Sequence, residues 1–171
     1  KLVTVFGGSG IVGRHVVRAL ARRGWRIRVA VRRPDRALFL APLGTVGQIM
    51  PIQANLRYRW SIERALDGAD AAVNLVGVLF ESGRQTFAAT QAFGARAVAE
   101  VAKAEGITRL VQISAIGARP DSPSLYARTK AEGEQAALEN VPSAVIVRPS
   151  IVFGPEDSFF NRFAGMAGYS P

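Results

Sequence analysis

Six short runs of apolar and β-branched residues alternate with stretches of helical periodicity, and that alternation leaves few folds open. The strand-like runs are Leu2–Phe6, Arg26–Val31, Ile49–Gln53, Ala71–Val76, Arg109–Ser114 and Ala144–Arg148. Helical stretches lie between them at Ile11–Arg23, Trp60–Leu66, Arg84–Glu105 and Leu125–Glu139, while Pro34–Gly47 reads as a loop or a short helix. Gly24 and Gly106 stand where helix C-caps are expected, and Pro142 follows the last helix closely. Apolar strands separated by helices form a parallel sheet covered on both faces. The expectation is therefore an α/β fold: a doubly wound parallel sheet of order 3-2-1-4-5-6 with right-handed crossovers. Its ligand crevice should open at the carboxyl ends of the first and fourth strands, where the winding reverses.

The first strand-to-helix junction carries chemistry. Lys1-Leu-Val-Thr-Val-Phe-Gly-Gly-Ser-Gly-Ile-Val-Gly-Arg14 is a short strand that runs into glycines at three-residue spacing and then into an amphipathic helix. Gly7 allows a sharp turn out of the strand, Gly10 lets backbone N–H groups approach a pyrophosphate, and Gly13 lets the helix pack close to the sheet. The helix start, with Ser9 and Ile11 beside it, then faces the anion with unpaired donors and a partial positive charge. Gly8, Gly10 and Gly13 satisfy the G-x-G-x-x-G spacing equally, so either register gives the same dinucleotide-binding Rossmann arrangement.

Composition narrows the remaining classes. The chain of 171 residues has no cysteine, which excludes disulfides, thiolate metal sites and cysteine nucleophiles, and its one histidine, His15, has no partner at zinc spacing. No apolar run approaches the length of a membrane span. The net charge of +9 favours anionic partners, and seven arginines between Arg22 and Arg36 supply much of it. Nucleic acid is the less favoured use of that region, because aromatic interleaving and RNA-binding motifs are missing.

Cofactor choice turns on the end of the second strand, where a carboxylate would bind an adenosine ribose diol. Here the chain reads Val29-Ala-Val-Arg-Arg33. A carboxylate would repel a 2′-phosphate, whereas the guanidinium of Arg32 or Arg33 can bind it in a charge-assisted, bidentate manner. NADP(H) is expected, with NAD(H) as the alternative if a bend at Pro34 presents Asp35 to the ribose. A second constellation is Tyr126-Ala-Arg-Thr-Lys130, whose phenol and ammonium share one helical face. A nearby cation is expected to lower the tyrosine pKa and fit it for proton relay, with the lysine holding the nicotinamide ribose.

These features resemble the extended and atypical short-chain dehydrogenase/reductase superfamily, which includes epimerase/dehydratase-like proteins, over Leu2 to about Gly168. The resemblance rests on Gly7–Gly13, Asn74-Leu-Val-Gly77, Ser114, Tyr126 with Lys130, and Arg148-Pro-Ser-Ile-Val-Phe-Gly-Pro155. It implies cofactor contacts from Asn74, Val76 and Gly77, a nicotinamide beside Pro149 and Ser150, and catalysis by Tyr126, Lys130 and Ser114. Asn55-Leu56 stands where members usually carry an aspartate near the adenine. The superfamily's catalytic Asn has its nearest counterpart in Gln91, and its catalytic Ser or Thr falls on Ser114 or on Ile116. Ser150–Asp157 and Phe160–Met166 are similar to the subgroup containing the NADPH-binding accessory subunit of respiratory complex I and its bacterial relatives.

The resemblance implies a cofactor domain at 1–155, with 156–171 beginning a truncated carboxy-terminal substrate region. Two functions follow: an oxidoreductase or sugar-nucleotide epimerase acting on a small molecule, or an NADPH-holding factor of a respiratory complex or homo-oligomer. The location implied is the bacterial cytoplasm or the mitochondrial matrix.

Overall fold

The computed structural model describes residues 1–77 and 86–154. Its six strands are β1 (Leu2–Phe6), β2 (Arg26–Val31), β3 (Ile49–Gln53), β4 (Ala71–Asn74), β5 (Leu110–Ile113) and β6 (Val145–Val147). All neighbours pair in parallel, in the order β3-β2-β1-β4-β5-β6. This is the doubly wound sheet expected from the alternation. Between β1 and β4 the connections diverge, which opens a crevice at their carboxyl ends.

Strand periodicity divides the core. Val3 and Val5 point to one face, where Val17 and Ala21 of α1 (Ile11–Arg22) and Leu40 of a 3-10 helix (Pro34–Leu43) cover them. Phe6 points to the other face, against Ile62 and Leu66 of α2 (Arg59–Leu66), Val98 and Val101 of α3 (Gly94–Ala104) and Ala137 of α4 (Leu125–Asn140). Thr4 shares that face and satisfies its buried hydroxyl by donating to the Ala65 carbonyl at 2.6 Å. Helical cover is incomplete at one edge. Val145 and Val147 of β6 remain exposed among the described residues.

Some boundaries differ from the expected ones. β4 stops at Asn74 because its side-chain oxygen accepts the Val76 N–H at 3.1 Å and turns the chain out of the ladder. β5 is one residue shorter at each end than expected. The region Pro34–Gly47 resolves into the 3-10 helix, anchored by buried Ala37 and Leu40. The long helix expected over Arg84–Glu105 is a π-helical turn, Ala88–Phe93, followed by α3. A Cβ at Gly133 of α4 would lie 2.6 Å from the Gln91 carbonyl oxygen, so α4 packs directly onto that widened turn. The expected helix start at Arg84 and the chain from Pro155 onward lie outside the described residues.

Candidate cofactor site

A cleft of about 340 Å³ lies at the carboxyl ends of the central strands. Phe6, Gly7, Ser9 and Gly10 form its floor, Val31 and Arg32 one end, Ala54 to Arg57 one wall, and Leu75, Val76 and Gly77 the other. Of the residues singled out from the sequence, Gly7, Ser9, Gly10, Arg32, Asn55, Leu56, Val76 and Gly77 meet there. Ile11 and Gly13 stand directly behind, in the first turn of α1.

The glycines act differently from one another. Gly7 has φ +75°, a left-handed turn that returns the chain over the strand ends. Gly13 is required by contact: a Cβ there would lie 2.4 Å from the Gly7 carbonyl oxygen and 2.6 Å from the Gly8 backbone. Its close approach is to the turn itself, whereas the expected approach was of the helix to the sheet. Packing onto the sheet falls to Gly8, whose added Cβ would sit 2.9 Å from Val29 Cγ1 and 3.2 Å from Val17 Cγ2. The start of α1 has no side-chain cap and no acidic residue in its first turn. Its first N–H groups are left for an anion in the cleft.

At the far end the two arginines separate. Arg33 forms a two-pronged bond to Asp35 at 3.0 and 3.1 Å, with both side chains exposed. Hydrogen bonding from Arg33 lowers the Asp35 pKa. Arg32 instead lines the cleft, and so does Arg57, which the sequence reading overlooked. Asn55 shapes that wall by accepting the Arg57 N–H at 3.1 Å, while Ser61 donates to the Asn55 carbonyl at 2.8 Å. Asn74 spends its side chain inside the protein, donating to Gln112 at 2.9 Å and accepting from Val76.

The second constellation begins in the first turn of α4. Ser124 caps this helix by accepting from Ala127 N–H, so Tyr126 falls in the first turn and Lys130 one turn later. The Lys130 ammonium lies 5.8 Å from the Tyr126 ring centre, and Phe87 meets that ring edge-on at 5.6 Å. Lys130 is 6% exposed, and its Nζ comes within 3.0 Å of where a Gly77 Cβ would stand. The lysine therefore joins α4 to the wall of the cleft. Gln91 accepts from Thr129 Oγ1 at 3.2 Å in a buried contact. Pro149 is held where its carbonyl accepts the Ile116 N–H at 3.0 Å, and Ser150 follows it, exposed.

Burial reverses one expectation about charge. The Tyr126 pKa is raised because desolvation by burial disfavours phenolate. Desolvation also brings Lys130 down to about 8, against an opposing pull from Glu134. Glu134 lies one turn beyond, 6% exposed, and accepts two hydrogen bonds from Arg148, at 2.8 Å from Nε and 2.5 Å from Nη2. Burial pushes its carboxyl up, but Arg148, Ser114 and Lys130 together hold it below the usual range. Ser114 is near enough to contribute to that lowering. Its buried hydroxyl nevertheless completes no hydrogen bond to any described residue. Ser114, Tyr126 and Lys130 thus gather around α4, while Ile116 is exposed and carries no hydroxyl. Glu134 was legible in principle, as the next position on the Tyr126–Lys130 stripe.

A sequence model of a family described as NAD(P)H-binding matches residues 7–150. The chain belongs to that NAD(P)H-binding family. This NAD(P)H-binding protein is 35% identical over 164 residues to mitochondrial NADH dehydrogenase [ubiquinone] 1 alpha subcomplex subunit 9 of Dictyostelium discoideum, covering 95% of the chain and 46% of that protein. It is 36% identical over 170 residues to a ceramide reductase of Caulobacter vibrioides, covering 99% of the chain and 52% of the reductase. The chain thus spans about half the length of these curated relatives. In fold it is similar to a putative NAD-dependent epimerase/dehydratase of Bacillus halodurans, with TM-score 0.79, 23% identity and coverage of 92% and 73% of the two chains. A Bacillus cereus UDP-glucuronic acid 4-epimerase, solved in complex with NAD, also gives TM-score 0.79, at 17% identity and coverage of 100% and 65%. The sequence likeness to complex I subunits and the epimerase-type fold agree with the resemblance read from the motifs, the structural likeness being one of fold alone. Among the described residues, no helix is long and apolar enough to cross a membrane.

Proposed function

We propose that the cleft takes NADP(H) in preference to NAD(H), as the cofactor-binding part of an atypical short-chain oxidoreductase. The observation that carries this is the divergence of the two arginines: Arg32 lines the cleft, whereas Asp35, the carboxylate that follows the end of β2, is bound to Arg33. In this reading the Gly7–Gly13 turn and the start of α1 hold the pyrophosphate. Ser9 and Ile11 border it, Asn55 and Leu56 flank the adenine, and Val76 and Gly77 support the middle. Residues 1–155 make up the cofactor domain, and 156–171 begin the region that completes a substrate pocket.

A bound nicotinamide would supply or accept hydride at the end of the cleft near Lys130. Lys130, already against Gly77, holds the adjoining ribose, while Pro149 and Ser150 border the ring. Tyr126 keeps its phenolic proton through neutral pH, because burial disfavours its loss, and can donate it to a carbonyl oxygen. Ser114, with its hydroxyl unspent, is the candidate second donor to that oxygen.

A second reading, retention of NADPH without turnover inside a respiratory complex in bacteria or mitochondria, is favoured by the similarity to complex I subunits and by Gln91 being engaged with Thr129. NADPH and NADH titrations followed by Trp25 and Trp60 fluorescence test the shared claim. Arg32→Asp should weaken NADPH far more than NADH. Equal losses refute the choice of cofactor. Tyr126→Phe should abolish NADPH oxidation in a screen of carbonyl compounds if the site turns over, and an unchanged rate refutes catalysis here.

A further inference from the structure

Glu134 and Arg148 form a buried-to-surface ion pair directly behind the lysine of the candidate site. The carboxylate side chain is 8% exposed and the guanidinium 53%. Burying a carboxylate costs stability unless it is paired and hydrogen-bonded, and Arg148 satisfies both of its oxygens. The pair also joins two elements that the site needs in register: α4, which carries Tyr126 and Lys130, and the segment after β6, which leads into Pro149 and Ser150.

Lys130 makes no direct ion pair with a described residue, yet it is buried. The charged or titratable groups beside it are Tyr126 and Glu134 on its own helix, and Arg148 from beyond β6 reaches it only through its bond to Glu134. The π-helical turn brings neutral Gln91 onto the neighbouring Thr129, the residue after β5 is the neutral Ser114, and the segment after β4 offers the backbone at Gly77. Glu134 is thus the one carboxylate among them, and Arg148 neutralises part of its field.

We propose that Glu134 and Arg148 are paired positioning residues that set the charge of Lys130: the carboxylate favours the ammonium through space, and the guanidinium limits how much of that effect the lysine feels. The idea rests on the reading of Lys130 as the ribose anchor. Its physical core is separable from that reading, because the charge of Lys130 is measurable without cofactor.

Lysine occurs only at positions 1, 103 and 130, so ¹³Cε-labelled protein gives three resolvable titrations. The Lys130 midpoint should fall near 8 in the unmodified protein. Glu134→Gln removes the negative charge and should lower that midpoint by about one pH unit, whereas Arg148→Gln unmasks the carboxylate and should raise it. Both variants break the same ion pair, so a purely structural role predicts shifts of one direction or none. Either of those results overturns the proposal. Glu134→Asp keeps the charge and should leave the midpoint near its original value, which also serves if Glu134→Gln does not fold. NADPH affinity measured against pH forms the second arm. Its alkaline fall should move with the Lys130 midpoint in each variant. If the midpoints move in opposite directions but NADPH affinity is flat across pH 8, the pair does set the lysine charge and the ribose-anchor reading fails.

Discussion

Gly13→Ala separates contact from conformation at the cofactor turn. Gly13 lies inside α1, where alanine is intrinsically the better residue by about 1 kcal/mol. Helix propensity alone therefore predicts a stabilised protein. The structure predicts the opposite, because the new methyl would stand 2.4 Å from the Gly7 carbonyl oxygen and 2.6 Å from Gly8 C and Cα. Those are backbone atoms, held by the Gly7 N–H bond to the Ala30 carbonyl at 3.1 Å and the Gly10 N–H bond to the Gly7 carbonyl at 3.1 Å. They cannot rotate away as a side chain can. Separation must come from moving α1 off the turn, and overpacking of that kind costs about 1–3 kcal/mol. The upper part of that range is expected, since the contact is to backbone on both sides. After the propensity gain is deducted, the net loss should be about 2 kcal/mol, or roughly 4–8 °C in Tm for a domain of this size. Urea unfolding gives the stability, and the same sample titrated with NADPH should lose more than tenfold in affinity, because the helix N-terminus no longer faces the turn. Gly10→Ala is the control for stability alone: its methyl would meet nothing in the protein closer than 3.4 Å. A Gly13→Ala protein as stable as the unmodified one, or more so, would refute the argument.

Other consequences follow from the same geometry. Arg57→Ala should weaken NADPH binding several-fold while sparing NADH, and Arg33→Ala should do less, because that guanidinium is engaged with Asp35; reversal of this order in parallel titrations contradicts the assignment of Arg32 and Arg57 to the cleft. Ser114→Ala should leave stability unchanged or raise it by up to about 1 kcal/mol, since it removes a buried hydroxyl without a bond partner, while lowering any turnover. A large stability loss in chemical denaturation would show that the hydroxyl is satisfied in the folded protein. Between about pH 8 and the ordinary lysine range, the unfolded chain binds one more proton than the folded one at Lys130, so stability should rise with pH there. Lys130→Met should flatten that rise in urea unfolding measured across the interval. Glu134 acts in the same direction at lower pH: its depressed pKa gives stability that is present above the usual carboxylate range and lost on acidification, and Glu134→Gln should diminish that loss.

The strand order, the reversal point and the glycine turn were all legible in the chain, because each follows from local and periodic constraints. A strand of Leu2–Phe6 followed by Gly7 has few ways to continue, and helices between apolar strands force parallel pairing. The pairing of Tyr126 with Lys130 was likewise set by helical spacing. Three matters depended on tertiary approach. Which glycine packs against what was decided by how α1 lies on the turn, so Gly8 meets the sheet and Gly13 the turn. Which arginine lines the cleft was decided by the local competition of Asp35 for Arg33, and Arg57 joined Arg32 only because the end of β3 comes beside the end of β2. The direction of the Tyr126 shift was decided by burial, a property of what surrounds a side chain. Sequence spacing fixes which residues share an element and a face. Solvent exclusion and partner choice arise when elements remote in the chain meet, as Glu134 of α4 meets Arg148 beyond β6, and those contacts set the charges of the site.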